Sequence, residues 1–196
     1  MEQQISQTSQ QTSPGLNWNS DIPVGTPVIY GLHGKCTVTS IETRALAGET
    51  QRFYKLERTK SALSRSTREE PAIWLPVQTA KSRGLRSPMT AEDLAAVQEI
   101  FASREYYFSM KDAWNIVQNK IDETIRNEGC IGMAKAMSFL FVFKRRQIVA
   151  SSEANKLSES IQRVFFREIA EITSETVKQI EDKMNRSMKY KLLADQ

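Results

Sequence analysis

The stretch Val24-Gly25-Thr26-Pro27-Val28-Ile29-Tyr30-Gly31-Leu32-His33-Gly34-Lys35 decides how the first half of this chain folds. Val24, Val28 and Tyr30 put apolar side chains at even positions with small or polar residues between most of them, the period-2 pattern of a half-buried strand. Gly31 and Gly34 then demand a turn. A second alternating run, Cys36-Thr37-Val38-Thr39-Ser40-Ile41, follows at once, so the pair opens a small antiparallel sheet. Working downstream, further strands are predicted near 50–58 and 72–78, after one at 26–31 and one at 35–44. Ala47-Gly48-Glu49 turns the second into the third. Residues 61–70, polar and carrying Arg65 and Arg68, read as an exposed hairpin loop, longer than usual. Four or five short strands within residues 21–88 favour a small barrel that closes on itself to remove its edges.

On either side of this unit the composition changes. Residues 1–20 are rich in Gln, Ser and Thr and read as a disordered tail, with Leu16 and Trp18 as its only sizeable apolar groups. After Pro88 the period becomes helical, and residues 89–196 read as a compact all-α domain of about five helices. Thr90 caps the first, with Glu92 and Asp93 in its opening turn and Leu94, Val97, Ile100 and Phe101 on one face. Ser109 precedes a second helix over 110–127 with Ala113, Val117, Ile121 and Ile125 as its apolar stripe. Gly129 and Gly132 interrupt the chain. A third helix over 133–149 is apolar nearly all round and is predicted to be central. The fourth starts at Ser151 or Ser152 and buries Leu157, Ile161, Val164, Phe165 and Ile169. The fifth starts at Thr173 or Ser174 and buries Val177, Ile180 and Met184. The fold class is therefore α+β.

The net charge is +4 over 196 residues. It resides wholly in residues 1–90, with 11 Lys and Arg against 7 Asp and Glu, whereas residues 91–196 hold 16 of each. That balance permits a nucleic acid partner without arguing for one, and any DNA contact by the helical half must come from a local cluster. Two isolated cysteines, Cys36 and Cys130, point to a reducing compartment. The polar start carries no signal peptide, and the most apolar run, 133–143, is too short to span a bilayer. A cytoplasmic location is expected. Signals for an enzyme are nearly absent. One histidine cannot build a His-based metal centre, and His33 with Cys36 and Cys130 has the wrong count for zinc. No phosphate-binding glycine loop or nucleophile elbow occurs. His33 reads as a turn residue packed beside its glycines. Neither a cofactor nor an enzymatic activity is expected.

Taken together, Val24-Gly25, Val28 with Tyr30, His33-Gly34, Ile41-Glu42, Gly48, Phe53-Tyr54, Leu75-Pro76 and Gly84-Leu85-Arg86 resemble, in order and spacing over 22–87, the CarD/CdnL family of bacterial transcription regulators. The N-terminal module of that family is shared with the transcription-repair coupling factor. The helical half resembles the family more loosely, chiefly through Trp114 and the helix order. The resemblance implies a Tudor-like β-barrel that docks on the β subunit of RNA polymerase. It also implies a helical domain that reaches promoter DNA at the upstream edge of the melted bubble, without reading sequence, as a monomer. The polymerase contact maps to Arg44, Leu46, Trp74, Leu75 and Pro76. Ile73 and Trp74 are adjacent and point to opposite faces; the family pattern favours Trp74 outward, and the alternative is Trp74 in the core.

The same resemblance puts Trp114 at the position of a tryptophan that wedges into the minor groove, where unstacking a step costs a few kcal/mol and holds the duplex distorted. The alternative is that Trp114 belongs to the apolar stripe of its helix. Basic residues usually follow this tryptophan in the family, but here Asn115-Ile116-Val117-Gln118-Asn119 carries no charge before Lys120. Lys111, Lys120 and the cluster Lys144-Arg145-Arg146 are the candidate phosphate contacts, the cluster serving otherwise to complement the dipole of the third helix. Two functional readings follow: a regulator bridging polymerase and DNA, or a polymerase-bound protein-interaction module without significant DNA binding.

Overall fold

The computed structural model describes residues 15–46, 48–59, 71–146 and 152–193. The loop at 61–70 with Arg65 and Arg68, the turn residue Ala47 and the first 14 residues lie outside the described residues. A five-stranded antiparallel sheet is followed by five helices, so the α+β architecture is observed. The strands are β1 (Pro27–Tyr30), β2 (Gly34–Leu46), β3 (Glu49–Arg58), β4 (Ile73–Pro76) and β5 (Leu85–Arg86), in the order β4-β3-β2-β1-β5. Among the described residues β4 and β5 pair with no further strand, and closure into a barrel is not among the observed pairings. The two-residue β5 falls on the Gly84-Leu85-Arg86 motif and was not read as a strand.

The alternation in β2 is interrupted, and the interruption shapes the sheet. Val38 pairs with Leu56, but Ile41 pairs with Tyr54, with the register shifting between Val38 and Ser40. One extra residue in β2 thus moves the inward set from even numbers (Cys36, Val38) to odd (Ile41), and such a bulge bends and twists its strand. Inward side chains Val28, Cys36, Val38, Tyr54, Leu56, Leu75 and Leu85 form the core of this half with Ile22 and Ala80. Leu16 and Trp18, expected in the tail, pack against this core, and the main-chain N–H of Ile22 donates to the Tyr54 hydroxyl at 3.1 Å. Val24 lies outside β1 and is 60% exposed, which corrects its place in the alternation.

The helices are α1 (Ala91–Ala102), α2 (Trp114–Glu128), α3 (Cys130–Arg146), α4 (Ser152–Thr173) and α5 (Val177–Leu193). Thr90 caps α1 as expected, its hydroxyl accepting from the Asp93 N–H while the Asp93 carboxylate accepts from the Thr90 N–H. Such a box satisfies two otherwise orphaned donors. The apolar α3 is central, touching α1, α2, α4 and α5. Gly132 lets α3 approach α2, because a Cβ there would sit 2.4 Å from the Thr124 carbonyl oxygen. Three boundaries differ from expectation, the first being α3, which starts at Cys130 and not at 133, so that Gly132 lies inside it. The Ser109 hydroxyl accepts from the Lys111 N–H in the preceding loop, and α2 starts at Trp114. Thr176 and Gln179 form the box that opens α5, so Val177 sits on its first turn and is 42% exposed.

The two halves share packing. Val28 points into the sheet core, whereas its neighbour Ile29 joins the core of the helical half. Leu32, in the 3-10 turn Gly31–His33, packs on that helical core as well. Val164 of α4 approaches to 3.5 Å of where a Gly34 Cβ would stand. On the surface Lys35 donates to Glu171 at 2.6 Å.

Both thiols are buried, and burial pushes Cys130 up to about 11. Below pH 9 both folded and unfolded chains keep that proton. Between about 9 and 11 only the folded chain keeps it, so the Cys130 contribution to stability declines as pH rises through that window. The expected outcome is that native protein reacts with a soluble thiol reagent only as fast as it unfolds, and that Cys130→Ala flattens the alkaline fall in melting temperature.

Candidate docking surfaces

The outer face of the sheet at its β4 edge gathers the first set. Ile73 and Leu75 turn inward, Leu75 at 1% exposure, so Trp74 and Pro76 face outward. The Arg44 guanidinium lies over the Trp74 ring, 3.2 Å from its centroid. Glu42 receives Arg44 at 3.3 Å and the Ser40 hydroxyl at 2.9 Å, and these hydrogen bonds, Ser40's first, hold its carboxyl below the usual range. Cross-strand register sets Lys55 opposite Trp74, and Phe53 between Glu42 and Pro76. Of the five residues mapped to polymerase, Arg44, Trp74 and Pro76 share this face. Leu75 is a core residue whose surface contribution is its main chain alone. Leu46 ends β2, and its side chain lies outside the described residues.

Trp114 is placed differently from a free wedge. Val117, Ile121 and Ile125 make the buried stripe of α2, Trp114 is half-buried at its start, and Ala113 is exposed. The Trp114 ring packs on the helical core with its centroid 5.6 Å from that of Phe143. Its indole N–H is buried without a hydrogen-bond partner among the described residues. The reading of Ala113 on the stripe is thereby corrected, whereas Trp114 does lie at its border, half-buried against α3.

This contact brings the start of α2 beside the end of α3, which carries Lys144-Arg145-Arg146 in its last turn. Lys111 is exposed. Lys120 is neutralised by Asp112 at 2.8 Å, a hydrogen bond that also lowers the Asp112 carboxyl below its usual value. Arg145 stacks over Phe141 at 3.8 Å, and Arg146 donates to the Tyr106 hydroxyl at 3.3 Å. His33 stacks on Tyr30 with centroids 5.1 Å apart, and burial, then the Arg58 charge, lowers its pKa. Among the described residues no group of three or more His, Cys, Asp or Glu is placed to hold a metal ion, and no helix is long and apolar enough to cross a membrane.

Sequence reasoning missed the joint between the halves. Arg86 of β5 donates from Nη1 and Nη2 to the two carboxylate oxygens of Glu168 on α4, at 2.6 and 2.7 Å. Glu168 also accepts the Met89 N–H at 2.6 Å. Their side chains are 17% and 5% exposed. Burial works against the Arg86 charge, and the Glu168 hydrogen bonds and charge more than restore it, so its pKa stands above the ordinary value. The Arg86 stem runs past Gly129 (φ +61), where a Cβ would lie 2.6 Å from Arg86 Cδ. One signal was present in the sequence: Glu168 falls on the apolar stripe of α4, four residues after Val164, and a carboxylate there requires a cationic partner.

No protein-family model and no curated protein matches the chain.

Proposed function

We propose that this chain is a transcription regulator that docks on the β subunit of bacterial RNA polymerase through the outer face and edge of its sheet. The observation that carries the reading is the Arg44–Trp74 stack on edge strand β4, outside either core. Trp and Arg dominate binding hot spots, and an edge strand presents unpaired main-chain groups to a partner. The polymerase as partner comes from the resemblance over residues 22–87, which also implies the Tudor-like barrel. The bulge in β2 is in keeping with such a barrel, since bulges bend and twist their strands. A minor-groove wedge at Trp114 is not part of the proposal, because that ring is engaged with Phe143. The geometry therefore favours the protein-docking reading over the bridge built on Trp114.

Trp74→Ala is expected to weaken the complex with the β subunit by about 2 kcal/mol, roughly thirtyfold, with little change in melting temperature. Calorimetric titration of the full chain with the β subunit measures it. An unaltered affinity, or no complex with the wild-type chain, would remove the docking reading.

A further inference from the structure

After the bulge, β2 carries Ser40, Glu42 and Arg44 at alternate positions, so all three stand on the outer face of the sheet. Glu42 gives one carboxylate oxygen to each neighbour. Its Oε1 accepts the Ser40 hydroxyl at 2.9 Å, and its Oε2 accepts Nη2 of Arg44 at 3.3 Å. Lys55, the other cation whose charge acts on Glu42, is held by Glu57 at 3.0 Å. Arg44 and Trp74 lie on strands that are not neighbours. Between them runs β3, with Phe53 as its outward residue across from Glu42 and Pro76. Phe53 is 8% exposed yet belongs to neither core. The Trp74 ring and the Arg44 guanidinium thus meet above β3, 3.2 Å apart, and a long arginine side chain keeps that place only at a cost in rotamer freedom.

We propose that Glu42, steadied by Ser40, is a positioning residue that holds Arg44 over Trp74 before any partner arrives. The inference rests on the docking reading and names what makes its anchor rigid. As a contribution to folding the ion pair is minor, because its side chains are 45% and 43% exposed and such pairs add little. Its consequence is orientation. A guanidinium fixed in advance spares the ordering cost that each mobile side chain adds on association.

The test reads the positioning and the docking separately, on the full chain. In the free protein, Arg44 side-chain protons over the Trp74 ring are expected to resonate upfield of those of other arginines. Glu42→Ala is expected to abolish that displacement, and Glu42→Gln, which keeps an acceptor oxygen, to retain most of it. In acid the wild-type displacement is expected to collapse below the usual carboxylate range. The Ser40 hydrogen bond first, then those and the charges of Arg44 and Lys55, hold Glu42 ionised down to that point. Glu42→Gln removes this titration. In calorimetric titration with the β subunit, Glu42→Ala is expected to weaken binding about fivefold and Glu42→Gln less than about twofold. Because Glu42 acts through the stack, adding Glu42→Ala to Trp74→Ala is expected to cost nothing further. Melting temperatures accompany each variant; if Glu42→Ala proves less stable, the acid titration of wild type against Glu42→Gln decides. A displacement that survives Glu42→Ala overturns the proposal, as does an unaltered affinity where Trp74→Ala weakens the complex. Additive losses in the double variant overturn it too, since Glu42 would then touch the partner itself. No complex with the wild-type chain removes the docking reading and the role of Glu42 in it, whereas the displacement in the free protein then still shows whether Glu42 holds Arg44.

Discussion

Glu168→Ala is expected to cost about 3–5 kcal/mol of folding stability, because it leaves the Arg86 guanidinium buried beside Gly129 with no countercharge. The Met89 N–H loses its acceptor in the same step. Replacing both charged partners, as in Arg86→Met/Glu168→Leu, is expected to recover most of the loss, because the isolated charge and not the missing attraction is what destabilises. Urea unfolding of wild type, single and double variants measures both. A single variant within about 0.5 kcal/mol of wild type would mean that Arg86 reaches water and that the joint is not closed.

Trp114 carries the second large effect. Trp114→Ala is expected to destabilise by about 3 kcal/mol, the low end for such truncations because the side chain is only half-buried. Trp114→Phe keeps a ring against Phe143 and removes the buried unpaired N–H, so it is expected to be neutral or stabilising by up to about 1 kcal/mol. The two together separate a packing role from a free surface tryptophan. A ring standing in solvent would show less than about 0.5 kcal/mol in either variant.

What could be read from the sequence was what depends on near neighbours. The box at Thr90 and Asp93 involves residues three apart, and the central position of α3 follows from a run that is apolar nearly all round. Ile161, Val164, Phe165 and Ile169 show the burial their spacing predicts. The errors have local causes as well. Starting the second helix directly after Ser109 placed its beginning several residues too early and put the exposed Ala113 on its stripe. A strict period of two cannot register an extra residue, so the parity change after Val38 was invisible. The rest was illegible because it depends on distant partners. Arg86 and Glu168 are 82 residues apart, and neither period reveals that Ile29 leaves the sheet core for the helical one. The stack of Arg44 on Trp74 is also cross-strand; Trp74 was expected outward, but only register brings the guanidinium over its ring.

The sharing of Ile29 and Leu32 with the helical core sets an order of events on the ribosome. The strands leave the exit tunnel first and hold their own core, but the turn carrying Leu32 packs on α4, which arrives last but one. Leu32 precedes Ser152, the first residue of α4, by 120 positions. At about 5–20 residues per second the nascent chain carries this apolar surface for roughly 6–24 s. Every new copy thus passes through an interval in which its sheet is built but sticky, and chaperone demand in the cell falls on translation speed between Leu32 and α4.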